Sequence, residues 1–358
     1  AGALTLNGTN TVSLSFPEGA APAGDYTLMT FASRTGSGSF ALLASYPNAA
    51  LELTGTSLVL HMTGAGMKGL TWNGNLSTLW DGGNLNWKAG AAAGSFSNGD
   101  TVQFDDSASV FTVSSGGTVS PSAVLFNNSI LNPYYVAAPI SGTAPLVKSG
   151  AGLAVLNGTT TYNPTSFVVN AGTMMLANAA QLNSGTYSRD MLIHGNFNHY
   201  SSANLTLNGL LYGVGSLSKT GGGTLTLVGT NAYLGGTTLS SGTLVGRGAA
   251  AVLGTGALSM SGGTLELLND AATAFTNNAT ITGSVTVKPG RQSSGIGLVH
   301  AMGTLSIGNC TLTASAGSNV SNNTPYGLTF GTATLSAATP TFTVNNNGTG
   351  MGTLMLGS

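Results

Sequence analysis

The strongest structural signal in the chain is the stretch Leu217-Ser218-Lys219-Thr220-Gly221-Gly222-Gly223-Thr224-Leu225-Thr226-Leu227. Beyond its glycines, threonine alternates with leucine, and a period of two puts the leucines on one face of a β-strand and the threonines on the other. Consecutive glycines are typical of a tight turn. The stretch therefore indicates a short, half-buried strand that is entered directly from a turn.

The Gly-Thr-Leu tripeptide of this stretch recurs at a nearly constant interval. Its third residue falls at positions 225, 244, 265 and 305, and Gly283-Ser284-Val285 fills the vacant place between the last two. Leu205 extends the series backwards by one more interval. A strand this short cannot bury its apolar face alone, but a second copy stacked about 4.8 Å away completes its hydrogen bonds and its core. The predicted interior column is Leu205, Leu225, Leu244, Leu265, Val285 and Leu305.

The repeat predicts an all-β fold, a parallel β-solenoid (right-handed β-helix) with about 20 residues per coil. An antiparallel sandwich with regular turns is the alternative, but a sandwich has no reason to keep one tripeptide at a constant interval. We expect residues 1–70 to form an N-terminal β-strand segment, residues 71–140 a Trp-rich, turn-rich β segment, and residues 141–358 a regular β-solenoid.

Charged residues are scarce. Asp, Glu, Lys and Arg make up 5% of the chain, against roughly 25% in an ordinary soluble domain. The net charge is −1 and no basic cluster occurs, which argues against a nucleic-acid partner. No apolar run reaches the roughly 18 residues of a membrane span. Cys310 is the single cysteine, so no internal disulfide is possible.

The residues around the first stretch resemble a known family. Together with Gly229-Thr230-Asn231-Ala232-Tyr233 and Ser241-Gly242-Thr243-Leu244, they look like the autotransporter-associated β-strand repeat. A poorer copy runs from Leu146-Val147-Lys148-Ser149-Gly150 to Ala171-Gly172-Thr173-Met174 and departs from the pattern at Pro164 and Phe167. The resemblance implies a parallel β-helix on the exterior of a bacterial cell. It implies no particular activity, because the repeat occurs in adhesins, proteases and proteins of unknown role.

Two groups of residues in the 71–140 segment are candidates for binding. Trp72, Trp80 and Trp87 could stack on sugar rings as a glycan contact, or they could fill one edge of the core, which we favour. Asp100, Asp105 and Asp106 could bind Ca²⁺ through oxygen ligands. We favour a turn in which the carboxylates cap backbone amides, because the glycine–aspartate repeats of calcium-loaded β-rolls are absent.

No catalytic group is evident in the sequence. Glycosidases need paired carboxylates, and lyases add Arg or Lys to stabilise developing charge, but the ten acids and nine bases are thinly scattered. The four histidines, His61, His194, His199 and His300, show no metal-ligand spacing with each other or with Cys310. We therefore predict that the chain is not an enzyme and has no catalytic, cofactor-binding or metal-binding residues and no cofactor.

The sequence favours a structural function at the bacterial cell surface. No Asp, Glu, Lys or Arg occurs between Arg291 and Ser358, and Gly352-Thr353-Leu354-Met355-Leu356 reads as an uncapped strand. Unpaired strand edges at the two ends of a solenoid favour head-to-tail contact. We therefore expect an extracellular filament, stalk or surface layer in which copies of the chain are each other's partners. The alternative is an adhesin or glycan-binding surface module.

Overall fold

A computed structural model describes residues 2–12, 24–42, 49–62, 68–159, 161–336 and 339–357. The chain forms two compact units, Ala1–Ala154 with Thr161–Phe167 and Val155–Thr160 with Val168–Ser358. Within the described residues, regular structure is strand except for a short 3₁₀ turn, η1 (Asn183–Gly185). None of the helical structure in these ranges is long or apolar enough to cross a membrane. The sequence-derived boundaries at 70 and 140 stay predictions.

The strands are short throughout. Up to residue 156 they are β1 (Ala3–Thr5), β2 (Thr9–Val12), β3 (Gly24–Thr30), β4 (Ser33–Thr35), β5 (Ser39–Leu42), β6 (Ala49–Leu53), β7 (Ser57–Met62), β8 (Gly69–Trp72), β9 (Trp87–Ala89), β10 (Ala92–Gly94), β11 (Thr101–Asp105), β12 (Thr112–Val113), β13 (Ala123–Asn127), β14 (Tyr134–Val136), β15 (Leu146–Lys148) and β16 (Leu153–Leu156).

The later strands continue in the same manner. They are β17 (Phe167–Val169), β18 (Thr173–Leu176), β19 (Thr186–Tyr187), β20 (Met191–Ile193), β21 (Asn196–His199), β22 (Leu205–Leu207), β23 (Leu211–Gly213), β24 (Ser216–Lys219), β25 (Thr224–Val228), β26 (Ala232–Tyr233), β27 (Thr237–Leu239), β28 (Thr243–Arg247), β29 (Leu258–Met260), β30 (Thr264–Leu268), β31 (Ala274–Phe275), β32 (Ala279–Ile281), β33 (Val285–Gly290), β34 (Val299–Met302), β35 (Leu305–Ile307), β36 (Thr311–Ala314), β37 (Tyr326–Leu335), β38 (Thr341–Val344) and β39 (Gly352–Gly357).

In the first unit, β8, β11, β13 and β15 lie side by side in parallel. Their register stacks the buried side chains of Leu70, Val102, Val124 and Leu146 in one column. The 71–140 segment, which the sequence describes as Trp-rich and turn-rich, therefore contains parallel strands stacked as in a solenoid. Before these coils, β3, β7 and β6 form a three-stranded antiparallel sheet.

In the second unit, successive coils each contribute one strand to each of two parallel sheets, and the earlier coils also contribute a strand to a third. One sheet contains β21, β24, β27, β29, β32 and β35, a second contains β22, β25, β28, β30, β33 and β36, and a third contains β20, β23 and β26. The predicted all-β parallel solenoid is thus confirmed, with roughly 22 residues per coil. Alternation along each strand places leucines inward and threonines outward, as in β25 (Thr224–Val228).

The predicted interior column is correct for four of its six members. Leu205, Leu225, Leu244 and Leu265 lie directly opposite one another on successive strands, and each is at most 1% exposed. Val285 is not the next member, because the register pairs Leu265 with Val287. The coil that connects β30 to β33 is therefore longer than the sequence interval suggested.

The prediction that Leu305 belongs to that column is also wrong. It lies in β35, in a different sheet, where its register partners are Ala279 and Ala333. The Gly-Thr-Leu tripeptide marks the entry from a turn into a strand, and each coil has more than one such entry. The tripeptide alone therefore does not identify which strand of the coil it begins.

Truncation of the column at its middle should destabilise the fold. For Leu244→Ala we expect the free energy of unfolding to fall by about 2–5 kcal/mol, because the side chain is fully buried between two leucines and leaves a cavity. The exposed Thr238→Ala in β27 is the control and should stay within about 0.5 kcal/mol of the wild type. Urea unfolding measures both, and equal effects would contradict the stacked core.

Candidate functional site

The three tryptophans form the core of the first coils. Each indole is 0% exposed, and the ring centroids of Trp72 and Trp87 are 4.9 Å apart, those of Trp80 and Trp87 5.3 Å. Phe104 packs against all three rings. The Trp72 Nε1–H donates to the carbonyl of Val110 at 2.8 Å. Rings buried in this way present no face to a sugar, so the glycan contact considered for these residues has no support in the structure.

The pairing of two strands explains this cluster. β8 and β9 are antiparallel, and Trp72 lies directly opposite Trp87, an arrangement in which aromatic cross-strand pairs stabilise a sheet. The Nε1–H groups of Trp80 and Trp87 have no hydrogen-bond partner among the described residues. Burial of such a donor without a partner is unfavourable, so apolar packing must outweigh it here.

A cleft of about 460 Å³ lies beside Trp80 and Phe96. Asp81 is the one carboxylate that lines it within the described part of the chain. This carboxylate accepts hydrogen bonds from the backbone N–H of Asn84 at 2.8 Å and of Gly83 at 3.1 Å. The Asn84 hydrogen bond is the main cause of the lowered pKa of Asp81. The carboxylate therefore caps a turn and has no second carboxylate with which to perform acid–base chemistry.

The remaining aspartates of this segment also cap turns. Across the described ranges, no group of three or more His, Cys, Asp or Glu side chains is placed to hold a metal ion. Hydrogen bonds from the Ser129 backbone and the Asn132 side chain lower the pKa of Asp106. The backbone N–H donors are Lys68 and Ser97 to Asp100 (2.9 and 2.8 Å), Ser107 to Asp105 (2.9 Å) and Ser129 to Asp106 (2.8 Å).

The histidines and the cysteine are not brought together. His61 lies on the antiparallel sheet, His194 is exposed, and His199 and His300 are buried at separate places. Cys310 is half-buried, with Sγ 3.6 Å from the carbonyl oxygen of Ile281. This dispersion provides no nucleophile–base pair.

Two buried lysines were missed by the sequence reasoning. Lys148 and Lys219 are each 0% exposed, and each ammonium donates to the carbonyl of the glycine two residues later, Gly150 and Gly221. Lys219 also donates to the carbonyl of Ser241, on the next coil, at 3.2 Å. Burial lowers the pKa of both lysines to about 8. The Lys-x-Gly spacing, which the two copies of the repeat share, was the feature of the sequence that could have identified these lysines.

His199 lies directly opposite Lys219 on the neighbouring strand. Neither ring nitrogen has a hydrogen-bond partner among the described residues. Burial, followed by the nearby charge of Lys219, lowers the pKa of His199 to about 4. The imidazole is therefore neutral at physiological pH and avoids repulsion with the buried ammonium.

Comparison with known families identifies these lysine-bearing segments. The passenger-associated-transport-repeat matches residues 146–176 and 217–245. The chain therefore contains two segments that match this autotransporter passenger repeat. The Adhesin BmaC autotransporter of Brucella suis biovar 1 (strain 1330) is 33% identical over 184 residues, which is 50% of this chain and 5% of the adhesin. No solved structure matches. These similarities indicate a secreted or cell-surface protein.

The buried lysine of the second passenger repeat should make stability depend on pH. The unfolded lysine, with its ordinary pKa of 10.5, binds a proton more tightly than the folded one at about 8, so the free energy of unfolding should rise between these two pH values. Lys219→Met should reduce this slope, as measured by urea unfolding. Lys88→Met, at a half-buried lysine, is the control, and an equal change of slope in both variants would contradict the assignment.

The chain carries a second pH-dependent group, on the antiparallel sheet. His61 Nδ1 is 2.6 Å from Asp25 Oδ1 and Nε2 is 2.8 Å from Glu52 Oε2, and the Asp25 contact is the main cause of its raised pKa. Its stabilising contribution is complete below the unfolded pKa near 6.5 and is lost as pH rises through the folded value. In an NMR titration we expect a pKa above 6.5 that falls in Asp25→Asn, and an unchanged pKa in that variant would contradict the pairing.

Proposed function

We propose that this chain is a solenoid segment of a bacterial surface adhesin and that its coils present a binding surface outside the cell. The observation that carries the proposal is the 33% identity to an autotransporter adhesin over half of the chain. The two passenger repeats support it. Since the match spans 5% of that adhesin, adhesion by this segment is a proposal about this chain and not a transferred property.

The architecture supports this function by separating stability from surface chemistry. The inward side chains form the column that holds the coils, and successive coils advance by about 4.8 Å. The outward side chains make no contribution to that column and are free to form a binding surface. Scarcity of charge, with 5% charged residues, leaves this surface dominated by hydroxyl and amide groups, which suits glycan-bearing or other hydroxyl-rich surfaces.

An adherence assay tests the proposal. Beads coated with residues 1–358 should adhere to cultured epithelial cells, and soluble chain should compete with them. Beads coated with serum albumin and beads coated with heat-unfolded chain are the controls. Adherence equal to that of albumin beads, on cells and on a glycan array, would contradict a function in adhesion.

Self-association is a second candidate function, favoured by exposed apolar side chains on the last described coil. Val344, Met351, Met355 and Leu356 are 38%, 66%, 51% and 39% exposed. Contact with a second copy would cover these side chains and remove their apolar surface from water. Such contacts would assemble the chain into a filament or stalk.

Sedimentation at rising concentration tests this second candidate. We expect the average mass of the wild type to increase and that of Met355→Lys to increase less, since a charge opposes burial of the coil. Val214→Lys, at a residue 60% exposed directly after β23, is the matched control. A wild type of constant monomer mass would rule out head-to-tail assembly.

A further inference from the structure

Three strands that are neighbours in one sheet of the second unit carry a regular array of hydroxyl groups. β27, β29 and β32 contain the pairs Thr238 with Ser240, Ser259 with Ser261, and Thr280 with Thr282, in which the second residue directly follows the strand. Thr238, Ser259 and Thr280 are register partners on successive strands. The backbone N–H groups of Ser261 and Thr282 continue the ladder by donating to Leu239 and Met260.

The array has two nearly orthogonal spacings. The geometry of a parallel sheet places side chains on adjacent strands about 4.8 Å apart and the two columns, which are two residues apart, about 6.6 Å apart. No register shift interrupts the pairing of these strands. Coil length is also constant here, because the interval from Thr238 to Ser259 equals the interval from Ser259 to Thr280.

The side chains beneath the array hold it in place. Leu239, Met260 and Ile281, which separate the members of each pair, are at most 1% exposed and are register partners of one another. Since side chains alternate along a strand, this buried column directs the flanking hydroxyls of β27, β29 and β32 outward. The orientation of the array is therefore determined by the core.

The hydroxyls of the array are free. Five of the six residues are exposed and Ser240 is half-buried, and none of their side chains has a hydrogen-bond partner among the described residues.

The array ends at the coil on each side of these three strands. On the preceding coil, Thr220 donates to the Asn198 side chain at 2.6 Å. On the following coil, Ser306 is the register partner of Thr280, and Gly308 stands where the second hydroxyl of the pair would be.

The chemistry of the array favours ordered water over an individual solute. Each hydroxyl both donates and accepts, the six positions carry no charge, and no aromatic ring stands among them to stack on a sugar. The oxygen atoms of hexagonal ice repeat, on a prism face, at distances close to the two spacings of the array. A rigid surface that already holds water at these positions loses little entropy when it joins the lattice.

We propose that the array formed by Thr238, Ser240, Ser259, Ser261, Thr280 and Thr282 is an ice-binding face. This function goes beyond adhesion to cells, and its failure leaves the adhesin proposal intact. Binding depends on the match between the ice lattice and the whole array. One lysine side chain at the centre of the array should therefore abolish binding.

Ice-affinity partitioning tests the proposal with the 1–358 chain. We expect the wild type to be enriched in slowly growing ice and Ser259→Lys, at the centre of the array, to lose that enrichment. Ala232→Lys, which introduces the same side chain at an exposed strand position on another sheet, should keep it. Urea unfolding midpoints of both variants serve to establish that they are folded.

Three results would overturn the proposal. The first is a wild type that remains in the liquid fraction. The second is equal loss of enrichment in Ser259→Lys and Ala232→Lys, which would point to a general effect of charge. The third is a wild type that binds crystalline cellulose through Ser259 but does not enter ice, which would assign the array to a polysaccharide surface.

Discussion

The structure depends on the stacking of short parallel strands in register. A strand as short as β22 or β25 has too few hydrogen bonds and too small an apolar face to be stable alone. Each coil therefore relies on its two neighbours for backbone partners and for burial. Removal of a leucine from water contributes about 1.5–3 kcal/mol, and the column beginning at Leu205 repeats this contribution on successive coils.

Buried lysines connect the core to the turns. An ammonium in the interior is unfavourable unless carbonyl oxygens replace its water, and Lys219 finds them at Gly221 in its own turn and at Ser241 on the next coil. The same side chain thus joins two turns across a coil boundary. Lys148 repeats the first of these contacts in the other passenger repeat. The spacing that the two repeats share therefore has a physical basis in turn geometry.

Inward and outward side chains serve different purposes. Changing an inward residue such as Leu239 alters the packing that holds a coil, whereas changing the outward Thr238 alters only what the coil presents to its surroundings. The scarcity of charge strengthens this division, because the exterior has few ion pairs to constrain it. Within the described residues, the ion pairs are those of His61 and of Arg291 with Asp270. A surface of this kind accommodates adhesion, self-association or lattice binding without a change of fold.

The sequence by itself determined the strand content, the parallel stacking and which face of each strand is buried. Strand content and the buried face are local features, because the alternation in Thr224-Leu225-Thr226-Leu227 reflects the backbone geometry of one strand and the glycines before it reflect a turn. The parallel stacking was predicted from the nearly constant interval between copies of the tripeptide. The pairs Thr238 with Ser240 and Thr280 with Thr282 are present in the sequence but were not predicted from it as a surface feature. The tertiary structure alone decided that Leu305 lies in a different sheet from Leu265, that Val287 replaces Val285, and that the tryptophans meet in one core. Register between coils depends on turn length and on non-local packing, which a repeating tripeptide does not encode.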